Sequence, residues 1–268
     1  MRKQFLIEQI RAKKSYLCVG LDTDPALIPP HLLEQEDPIF AFNKAIIDAT
    51  LEHCVAYKIN TAFYESHGLE GWRAMEKTVN YIPTTHFKIA DAKRGDIGNT
   101  STQYAKAFLQ QLPFDSITIA PYMGEDSVKP FLQFEGKWAI VLGLTSNPGA
   151  ADFELQDLKT ESKRLYELVI SKVATWGTTD NLMFVVGATR SDEFINLRKL
   201  VPNHFFLVPG VGAQGGSLEE ISQKAMNKDV GLLVNVSRDI IYTSKDTDFA
   251  QKAGDKALQY ATQMRSYL

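Results

Sequence analysis

The sequence predicts an α/β fold of the (β/α)8 TIM barrel type, formed as a single domain by residues 1–268. Eight short apolar runs recur along the chain, each bounded by Gly, Pro, Asp or Asn, and segments with helical spacing of apolar residues separate them. The runs lack strict alternation, which is typical of parallel strands covered on both faces. Eight such units in 268 residues match this barrel, and a doubly wound open sheet is the structural alternative.

The eight apolar runs predict the strands in chain order. Each is short and contains β-branched residues, which favour extended structure. The runs are Tyr16–Leu21, Val55–Ile59, His86–Ala90, Ser116–Ala120, Trp138–Leu142, Leu182–Val186, Phe205–Val208 and Val230–Val236.

Helices are predicted between these runs. Asp37 precedes a proline and an apolar face, which is the pattern of a helix start, and Ser217 with Glu220 forms a capping box for a later helix. Met1–Lys14 predicts an N-terminal helix at the bottom of the barrel. The longest irregular stretch, Thr145–Lys159, predicts a long loop after the fifth strand, and such loops are often lids or binding loops. Apolar residues at helical spacing also begin at Leu69, Tyr104, Leu165, Phe194 and Phe249.

The charge balance argues against a polyanionic partner. Lys and Arg number 29 and Asp and Glu 32, for a formal net charge of -3. This balance gives no electrostatic reason to expect nucleic acid or an anionic membrane as a partner. An anionic ligand must therefore be bound by local charges.

The cysteines and the N-terminus predict a cytoplasmic protein. Cys18 and Cys54 lie in apolar runs without CxxC or Cys/His spacing, so they are interpreted as buried hydrophobic residues in a reducing compartment. The first ten residues carry polar side chains throughout and lack the apolar core of a signal peptide. No apolar run approaches the ~20 residues of a transmembrane helix.

Polar residues at several predicted strand ends indicate an active site, because a barrel places its site at the carboxyl ends of the strands. Ordinary solvent-exposed polar residues would not be expected to occur at so many strand ends on the same side of the barrel. In strand order the residues are Asp22 and Asp24, Lys58 and Asn60, Asp91, Lys93, Arg94 and Asp96, Thr145, Ser146 and Asn147, and Ser237, Arg238 and Asp239.

The last two strand ends predict a phosphate site. The segment Pro209–Gly216 contains four glycines, which let the backbone amides approach an anion. Arg238 adds a planar bidentate donor, and the helix capped by Ser217 adds its positive end. A flexible turn beside a surface arginine is the alternative. The Gly210 to Gly215 spacing is not a dinucleotide fingerprint, because it follows the seventh strand without a ribose-binding acid in context.

The third strand end carries Asp91, Lys93 and Asp96, a spacing that a solvated charge cluster would match equally well. Its position at a barrel strand end favours catalysis. Two nearby acids stabilise the charged form of Lys93, which makes it a proton donor and argues against an aldolase. No histidine stands at a strand end, so a hydrolase triad is not supported. Metal binding by Asp22 with the two aspartates of this cluster stays open, although Lys93 competes with a cation.

These residues resemble a known family. Asp91-Ala-Lys-Arg-Gly-Asp-Ile-Gly98 resembles the catalytic motif of the orotidine 5′-phosphate decarboxylase family. The match runs from the first strand to the eighth, and the insertions and the second strand resemble the longer bacterial subfamily (type 2). The other matching segments are Cys18-Val-Gly-Leu-Asp-Thr-Asp-Pro25, Tyr57-Lys-Ile-Asn-Thr-Ala-Phe-Tyr-Glu65, Leu144-Thr-Ser-Asn-Pro-Gly149, Val208-Pro-Gly-Val-Gly-Ala-Gln-Gly-Gly216 and Asn235-Val-Ser-Arg-Asp-Ile-Ile-Tyr242.

The resemblance implies decarboxylation of orotidine 5′-phosphate to UMP and CO2 in de novo pyrimidine biosynthesis, without metal or other cofactor. It also implies a homodimer whose two active sites lie at the subunit interface. Lys93 would protonate C6 as carbon dioxide leaves, and Asp91 would lie against the substrate carboxylate. Asp96 would enter the site of the neighbouring subunit, with Ile97 and Thr100 beside it.

The same resemblance assigns the remaining binding residues. Lys58 would complete the catalytic set and, with Asp22, would hold the ribose hydroxyls and order the charges. Ser146 would contact the pyrimidine, and Gln214 and Arg238 would bind the phosphate. Further residues assigned in this way are Asn60 and Pro209 for the substrate, and Gly215 and Ser237 for its phosphate.

Two other functions stay open at this point. A magnesium-dependent sugar-phosphate lyase of the hexulose-phosphate synthase type resembles the same Asp-x-Lys-x-x-Asp pattern, and sensitivity to chelators separates it from a decarboxylase. A non-catalytic ligand-binding barrel would be expected to have lost a charge. All five charged residues are nevertheless present: Asp22, Lys58, Asp91, Lys93 and Asp96.

Overall fold

The computed structural model describes residues 1–159, 162–212 and 215–268 and confirms the predicted barrel. Within those ranges, eight parallel strands form one closed barrel. In chain order they are β1 (Leu17–Gly20), β2 (Ala56–Asn60), β3 (Phe87–Arg94), β4 (Ser116–Ile119), β5 (Trp138–Leu144), β6 (Leu182–Val186), β7 (Phe205–Pro209) and β8 (Leu232–Val236).

Strands that follow one another in sequence are neighbours in the barrel, and β1 closes it by pairing with both β2 and β8. Because all pairs are parallel, the carboxyl ends of the strands meet at one mouth. The strand residues are almost all buried, since their inner faces fill the barrel and their outer faces lie under helices. Burial on both faces explains why the sequence shows continuous apolar runs.

The α-helices surround the barrel. In chain order they are α1 (Lys3–Lys13), α2 (Pro38–Thr50), α3 (Ala62–Glu65), α4 (Gly68–Tyr81), α5 (Gly98–Lys106), α6 (Glu125–Leu132), α7 (Leu165–Val173), α8 (Phe194–Leu200), α9 (Leu218–Ala225), α10 (Arg238–Ile241) and α11 (Phe249–Arg265).

The predicted N-terminal cap of α2 forms completely, whereas that of α9 forms only in part. The Asp37 carboxylate accepts a backbone N–H from the first turn of α2, as predicted. Ser217 caps α9 by accepting the N–H of Glu220. The Glu220 carboxylate pairs with Lys224, however, so the predicted reciprocal half of the capping box does not form.

The N-terminal helix α1 covers the bottom of the barrel, as predicted. Its apolar face, formed by Leu6, Ile7 and Ile10, is buried. Trp138 stands at the first position of β5 and donates its indole N–H to the carbonyl oxygen of Met1 at 2.7 Å. This arrangement leaves the opposite end of the barrel, the mouth, for a ligand. Among the helices that the structure describes, none is both long and apolar enough to cross a bilayer.

The segment after β5 is more ordered than the sequence suggested. Within the predicted irregular stretch Thr145–Lys159, residues Pro148–Ala151 form a 3-10 turn. Asp157–Leu158 pairs antiparallel with Lys163–Arg164 to form a small second sheet. The prediction of one irregular loop is therefore wrong in detail, because short local pairings of this kind leave no periodic pattern.

The third strand differs most from its predicted length. It continues past Ala90 to Arg94, through polar residues that do not suggest a strand. The ladder with β4 shifts register between these two positions, and Lys93 has a left-handed backbone with φ of 47°. A bulge of this kind re-aims side chains at the end of a strand.

Candidate active site

A cavity of about 300 Å³ opens at the mouth of the barrel. This volume lies at the lower end of the range for small-molecule pockets, about 300–1,000 Å³. The ends of β1, β2, β3, β5, β7 and β8 all contribute to its wall. The predicted site residues that line it are Asp22, Lys58, Asn60, Asp91, Lys93, Ser146, Pro209, Ser237 and Arg238.

Lys58 is the central charge of the cavity wall. Its side chain is 4% exposed, and its Nζ lies 3.1 Å from Asp22 Oδ1 and 3.1 Å from Asp91 Oδ2. Burial alone would lower the pKa of Lys58, but the two carboxylates outweigh burial and raise this pKa above its usual value. The ammonium therefore stays charged and holds the ends of β1, β2 and β3 together.

Lys93 extends this set of charges into the cavity. Its Nζ lies 2.6 Å from Asp91 Oδ1, and its side chain is half exposed. Burial would raise the pKa of Asp91, but Lys58 and Lys93 hold it well below its usual range. We call Asp22, Lys58, Asp91 and Lys93 the charge array. It presents one accessible ammonium to the cavity, backed by an ionised carboxylate and a buried second ammonium.

The contact between Asp91 and Lys93 does not arise from simple alternation along β3. In a regular strand, side chains two residues apart point to the same face. In the structure the register shift of β3 and the left-handed backbone of Lys93 intervene, and the ammonium turns back to the carboxylate two residues earlier. The bulge is therefore the geometric cause of this contact.

The loops after β5, β7 and β8 form a second wall, which we call the loop wall and define by Ser146, Pro209, Ser237 and Arg238. Ser237 Oγ donates to the carbonyl of Gly20 at 3.0 Å, which ties the end of β8 to β1. Arg238 is exposed at the start of α10. Within the part of the chain that the structure describes, its guanidinium has no hydrogen-bond or ion-pair partner.

Glycines give the loop wall its backbone path. Gly210, Gly212 and Gly215 have φ angles of 101°, 78° and 84°, a region that side chains rarely adopt. Gly210 lines the cavity, whereas Gly215 does not. Gln214, which was predicted for the phosphate, lies outside the described residues.

The strand end of β5 is held by the segment that follows it. The Glu154 carboxylate accepts the backbone N–H of Thr145 at 2.7 Å and its hydroxyl at 2.8 Å. Thr145 is next to Ser146, and both line the cavity. The insertion after β5 therefore contacts the active-site wall through one carboxylate.

Besides Gly215, the predicted residues Asp96, Ile97 and Thr100 do not line the cavity of their own chain. Asp96 is half-buried, and its carboxylate accepts the backbone N–H of Ile97 at 2.8 Å. Among the described residues it has no cationic partner. Ile97 is exposed, and so are the apolar residues Tyr122 and Met123, which follow β4.

The cavity also has a lining that the sequence did not assign. Its apolar part includes Leu142, Val185 and Leu207, on β5, β6 and β7. Nothing distinguishes these residues from other buried strand residues, because the runs are apolar on both faces. Asn235 on β8 also lines the cavity and is 6% exposed. A buried amide in an apolar run is the one signal that could have identified it.

The carboxylates of the array do not form a free cation site. Asp22 and Asp91 both bind the Lys58 ammonium that lies between them. In the described ranges, no group of three or more His, Cys, Asp or Glu side chains could hold a metal ion. This wall offers fixed ammonium groups to a ligand.

Comparisons with known proteins agree with the resemblance seen in the motifs. A profile of the orotidine 5′-phosphate decarboxylase / HUMPS family matches residues 15–253. The chain is 58% identical over 271 positions to the orotidine 5′-phosphate decarboxylase of Phocaeicola vulgatus, covering 100% of this chain and 99% of that protein. It is 58% identical over 267 positions to the enzyme of that name from Flavobacterium johnsoniae, covering 98% and 97%.

A solved structure supports the same assignment. The structure of Leishmania donovani OMP decarboxylase superposes with a TM-score of 0.82 at 34% identity, covering 99% of both chains. The profile match covers the barrel from before β1 into α11. The chain therefore belongs to the orotidine 5′-phosphate decarboxylase / HUMPS family.

Proposed function

We propose that this protein converts orotidine 5′-phosphate to UMP and carbon dioxide in pyrimidine biosynthesis. The observation that carries the proposal is the Lys93 ammonium, held 2.6 Å from Asp91 and directed into a cavity at the barrel mouth. A charged amine at this point can supply a proton to a carbon that has just lost a carboxylate. The family membership and the full-length relatives support the same reaction.

The chemistry follows from charge development at C6. The bond from C6 to the carboxylate breaks, its electron pair stays on C6, and carbon dioxide leaves. Lys93 donates its Nζ proton to C6 and is reprotonated from solvent. A fixed ammonium near the developing negative charge favours the transition state over the ground state. No metal or other cofactor takes part in this sequence of steps.

Asp91 and Lys58 set the environment of that proton transfer. Asp91 lies against the substrate carboxylate and disfavours the ground state through like-charge repulsion, while it keeps Lys93 in position. Lys58 compensates the charge of both array carboxylates. With Asp22 and Asn60, it also offers hydrogen-bonding groups to the ribose hydroxyls.

The loop wall binds the pyrimidine and the phosphate of the nucleotide. Ser146 contacts the pyrimidine and Pro209 packs beside it. Arg238 offers an unpaired planar fork that suits a phosphate, together with Ser237 and the backbone near Gly215. The phosphate is remote from C6, so its binding energy serves to orient the reacting ring.

The reaction assignment is tested with purified protein and orotidine 5′-phosphate in EDTA. We expect loss of substrate and equimolar formation of UMP, followed by chromatography, with no stimulation by added magnesium. A metal-dependent sugar-phosphate lyase would lose activity in the chelator. Absence of turnover under these conditions would remove the decarboxylase assignment.

We also propose a homodimer with shared active sites. Asp96 is free of cationic partners within the described chain and does not line its own cavity. Ile97, the residue after Asp96, is an exposed apolar side chain, as are Tyr122 and Met123 after β4, and exposed apolar residues suit burial against a second subunit. In the dimer, Asp96, Ile97 and Thr100 complete the cavity of the partner.

Subunit mixing tests this arrangement. The inactive variants Lys93→Ala and Asp96→Ala are combined and allowed to exchange subunits. We expect partial recovery of activity, because one hybrid site contains both native residues. No recovery despite demonstrated exchange would mean that Asp96 acts within its own chain. The cytoplasmic location and the absence of nucleic-acid or membrane partners stay predictions from the sequence.

A further inference from the structure

The pairing of β3 with β4 is interrupted beside the charge array. Ala90 pairs with Ile117 and Arg94 pairs with Ile119, so residues 91–93 of β3 face a single residue of β4, Thr118. A bulge leaves main-chain groups without their ladder partners. One of these groups is the backbone N–H of Lys93, at a residue whose φ is 47°.

Thr118 supplies the hydrogen-bond acceptor that the interrupted strand pairing lacks. Its Oγ1 accepts the backbone N–H of Lys93 at 2.9 Å and donates its own proton to Asp91 Oδ1 at 3.0 Å. A hydroxyl has one proton to donate and lone pairs to accept, so both bonds can exist together. Thr118 is 1% exposed and does not line the cavity. Thr118 therefore contacts Asp91 and Lys93 from the buried side of the charge array, not from the cavity.

The next residue of the bulge is fixed independently. The Arg94 guanidinium pairs with Glu65 and lies 5.5 Å from the ring of Tyr104 and 5.4 Å from that of Phe108. The carbonyl of Arg94 accepts the N–H of Ala120 at 2.8 Å. The Arg94 guanidinium also donates to the carbonyl of Ala92 at 3.3 Å. The peptide that joins Ala92 to Lys93 is therefore held at its carbonyl by Arg94 and at its N–H by the hydroxyl of Thr118.

We propose that Thr118 is a positioning residue for the reaction, which fixes the left-handed backbone of Lys93 and the rotamer of Asp91 through one hydroxyl. This inference rests on the proposed decarboxylase function. Loss of the hydroxyl leaves the Lys93 N–H without its acceptor and Asp91 without a neutral donor. The ammonium then moves relative to C6, while the groups that bind ribose and phosphate keep their places.

The test compares Thr118→Val, which keeps the shape and removes the hydroxyl, with Thr118→Ser, which keeps the hydroxyl. For Thr118→Val we expect kcat to fall about 10- to 100-fold, because small misplacements of a catalytic group have effects of this size. KM for orotidine 5′-phosphate and the Kd for UMP should stay within about threefold of wild type, since neither depends on proton transfer. Thr118→Ser should keep kcat within about threefold.

A matched control separates positioning from stability. Thr78 in α4 is also fully buried, and its hydroxyl bonds Asn43 and the carbonyl of Ala74 away from the cavity. Thr78→Val should lower Tm without changing kcat. If Thr118→Val does not fold, Thr118→Ala provides the same comparison of kcat with KM at the same site.

The outcomes distinguish this inference from the function on which it rests. If the wild-type protein shows no turnover of orotidine 5′-phosphate, both the proposed function and the role of Thr118 are overturned. If wild type is active and the kcat of Thr118→Val lies within threefold of the wild-type value, only the role of Thr118 is overturned. The same holds for Thr118→Ala where that variant is used in its place. A Thr118→Ser variant as slow as Thr118→Val also overturns that role, because the retained hydroxyl would then have no effect.

Discussion

The charge array and the loop wall face the same cavity but are built differently. In the array, three contacts of 2.6–3.1 Å connect Asp22, Lys58, Asp91 and Lys93 across β1, β2 and β3. The loop wall follows a glycine-rich backbone, and Arg238 is exposed and unpaired with any described residue. One wall satisfies its charges internally, and the other presents a charge to solvent.

This difference separates catalysis from affinity. Charges that are already paired keep their positions when the substrate arrives, so little reorganisation is needed during the reaction. An unpaired guanidinium instead keeps all its donors for an incoming anion. We therefore expect changes in the array to lower kcat and changes in the loop wall to raise KM.

The largest expected effect is that of Lys93→Ala. We expect kcat to fall by at least about 10³-fold, because the variant lacks both the proposed proton donor and the charge proposed to stabilise the C6 carbanion. UMP binding should remain measurable by titration, since the loop wall is intact. The control is Lys172→Ala, an exposed lysine of α7, which should match wild type. Near-normal turnover of the Lys93 variant would remove this residue from the chemistry.

Arg238→Ala tests the other wall. We expect KM to rise roughly 30- to 1,000-fold, with a smaller change in kcat, because a charge-assisted bidentate contact to the phosphate is lost. Steady-state kinetics over a wide substrate range measures both parameters. Arg265→Ala, at the exposed end of α11, is the matched arginine control. A loss confined to kcat would contradict the separation of the two walls.

A lower pH should also affect the charge array and substrate binding at the loop wall differently. Lys58 and Lys93 hold the pKa of Asp91 well below its usual range against the effect of burial, so Asp91 stays ionised at least down to the usual aspartate value of about 3.9. Lys58 stays protonated on the alkaline side, because Asp22 and Asp91 outweigh burial and raise its pKa. The structural contribution of Asp91 is thus present above about pH 4 and is lost as the pH falls through its lower folded pKa.

The phosphate of the substrate behaves differently, because a phosphate monoester gains a proton at about pH 6. Between pH 7 and pH 5 we expect KM to rise while kcat at saturation stays within about twofold. The measurement is a set of full saturation curves at each pH. A parallel fall in kcat would show that an array charge titrates in this window.

The smallest expected effect is that of Glu154→Gln. Its carboxylate holds Thr145 next to Ser146 through two hydrogen bonds. We expect KM to rise roughly three- to tenfold, which corresponds to about 1 kcal/mol, the typical net contribution of one hydrogen bond. Asp152→Asn, an exposed acid of the same segment, serves as the control. If both variants behave alike, the insertion does not act on the cavity through Glu154.

The fold and the array could be predicted because their signals are local in sequence. Burial on both faces makes each strand an apolar run, and barrel topology brings the residues after each run to one mouth. Asp22, Lys58, Asp91 and Lys93 could therefore be grouped before any contact was known. The prediction needed the strand ends only to within a few residues.

Thr118 could not be predicted in this way. In the sequence it is a β-branched residue within the run Ser116–Ala120, where threonine simply favours a strand. Its role depends on the register shift of β3, and that shift arises from pairing between strands that has no pattern along the chain. The apolar lining at Leu142, Val185 and Leu207 was missed for a related reason, since inward and outward residues are equally apolar.

The most direct test of the preset array is a pair of crystal structures, one of the free enzyme and one with UMP bound. We expect the contacts of Lys58 with Asp22 and Asp91, and that of Lys93 with Asp91, to persist within about 0.5 Å. The Arg238 guanidinium should gain the phosphate as its partner. If Lys93 and Asp91 are separated in the free enzyme and meet only when UMP is bound, the array is assembled by the ligand and is not formed in advance.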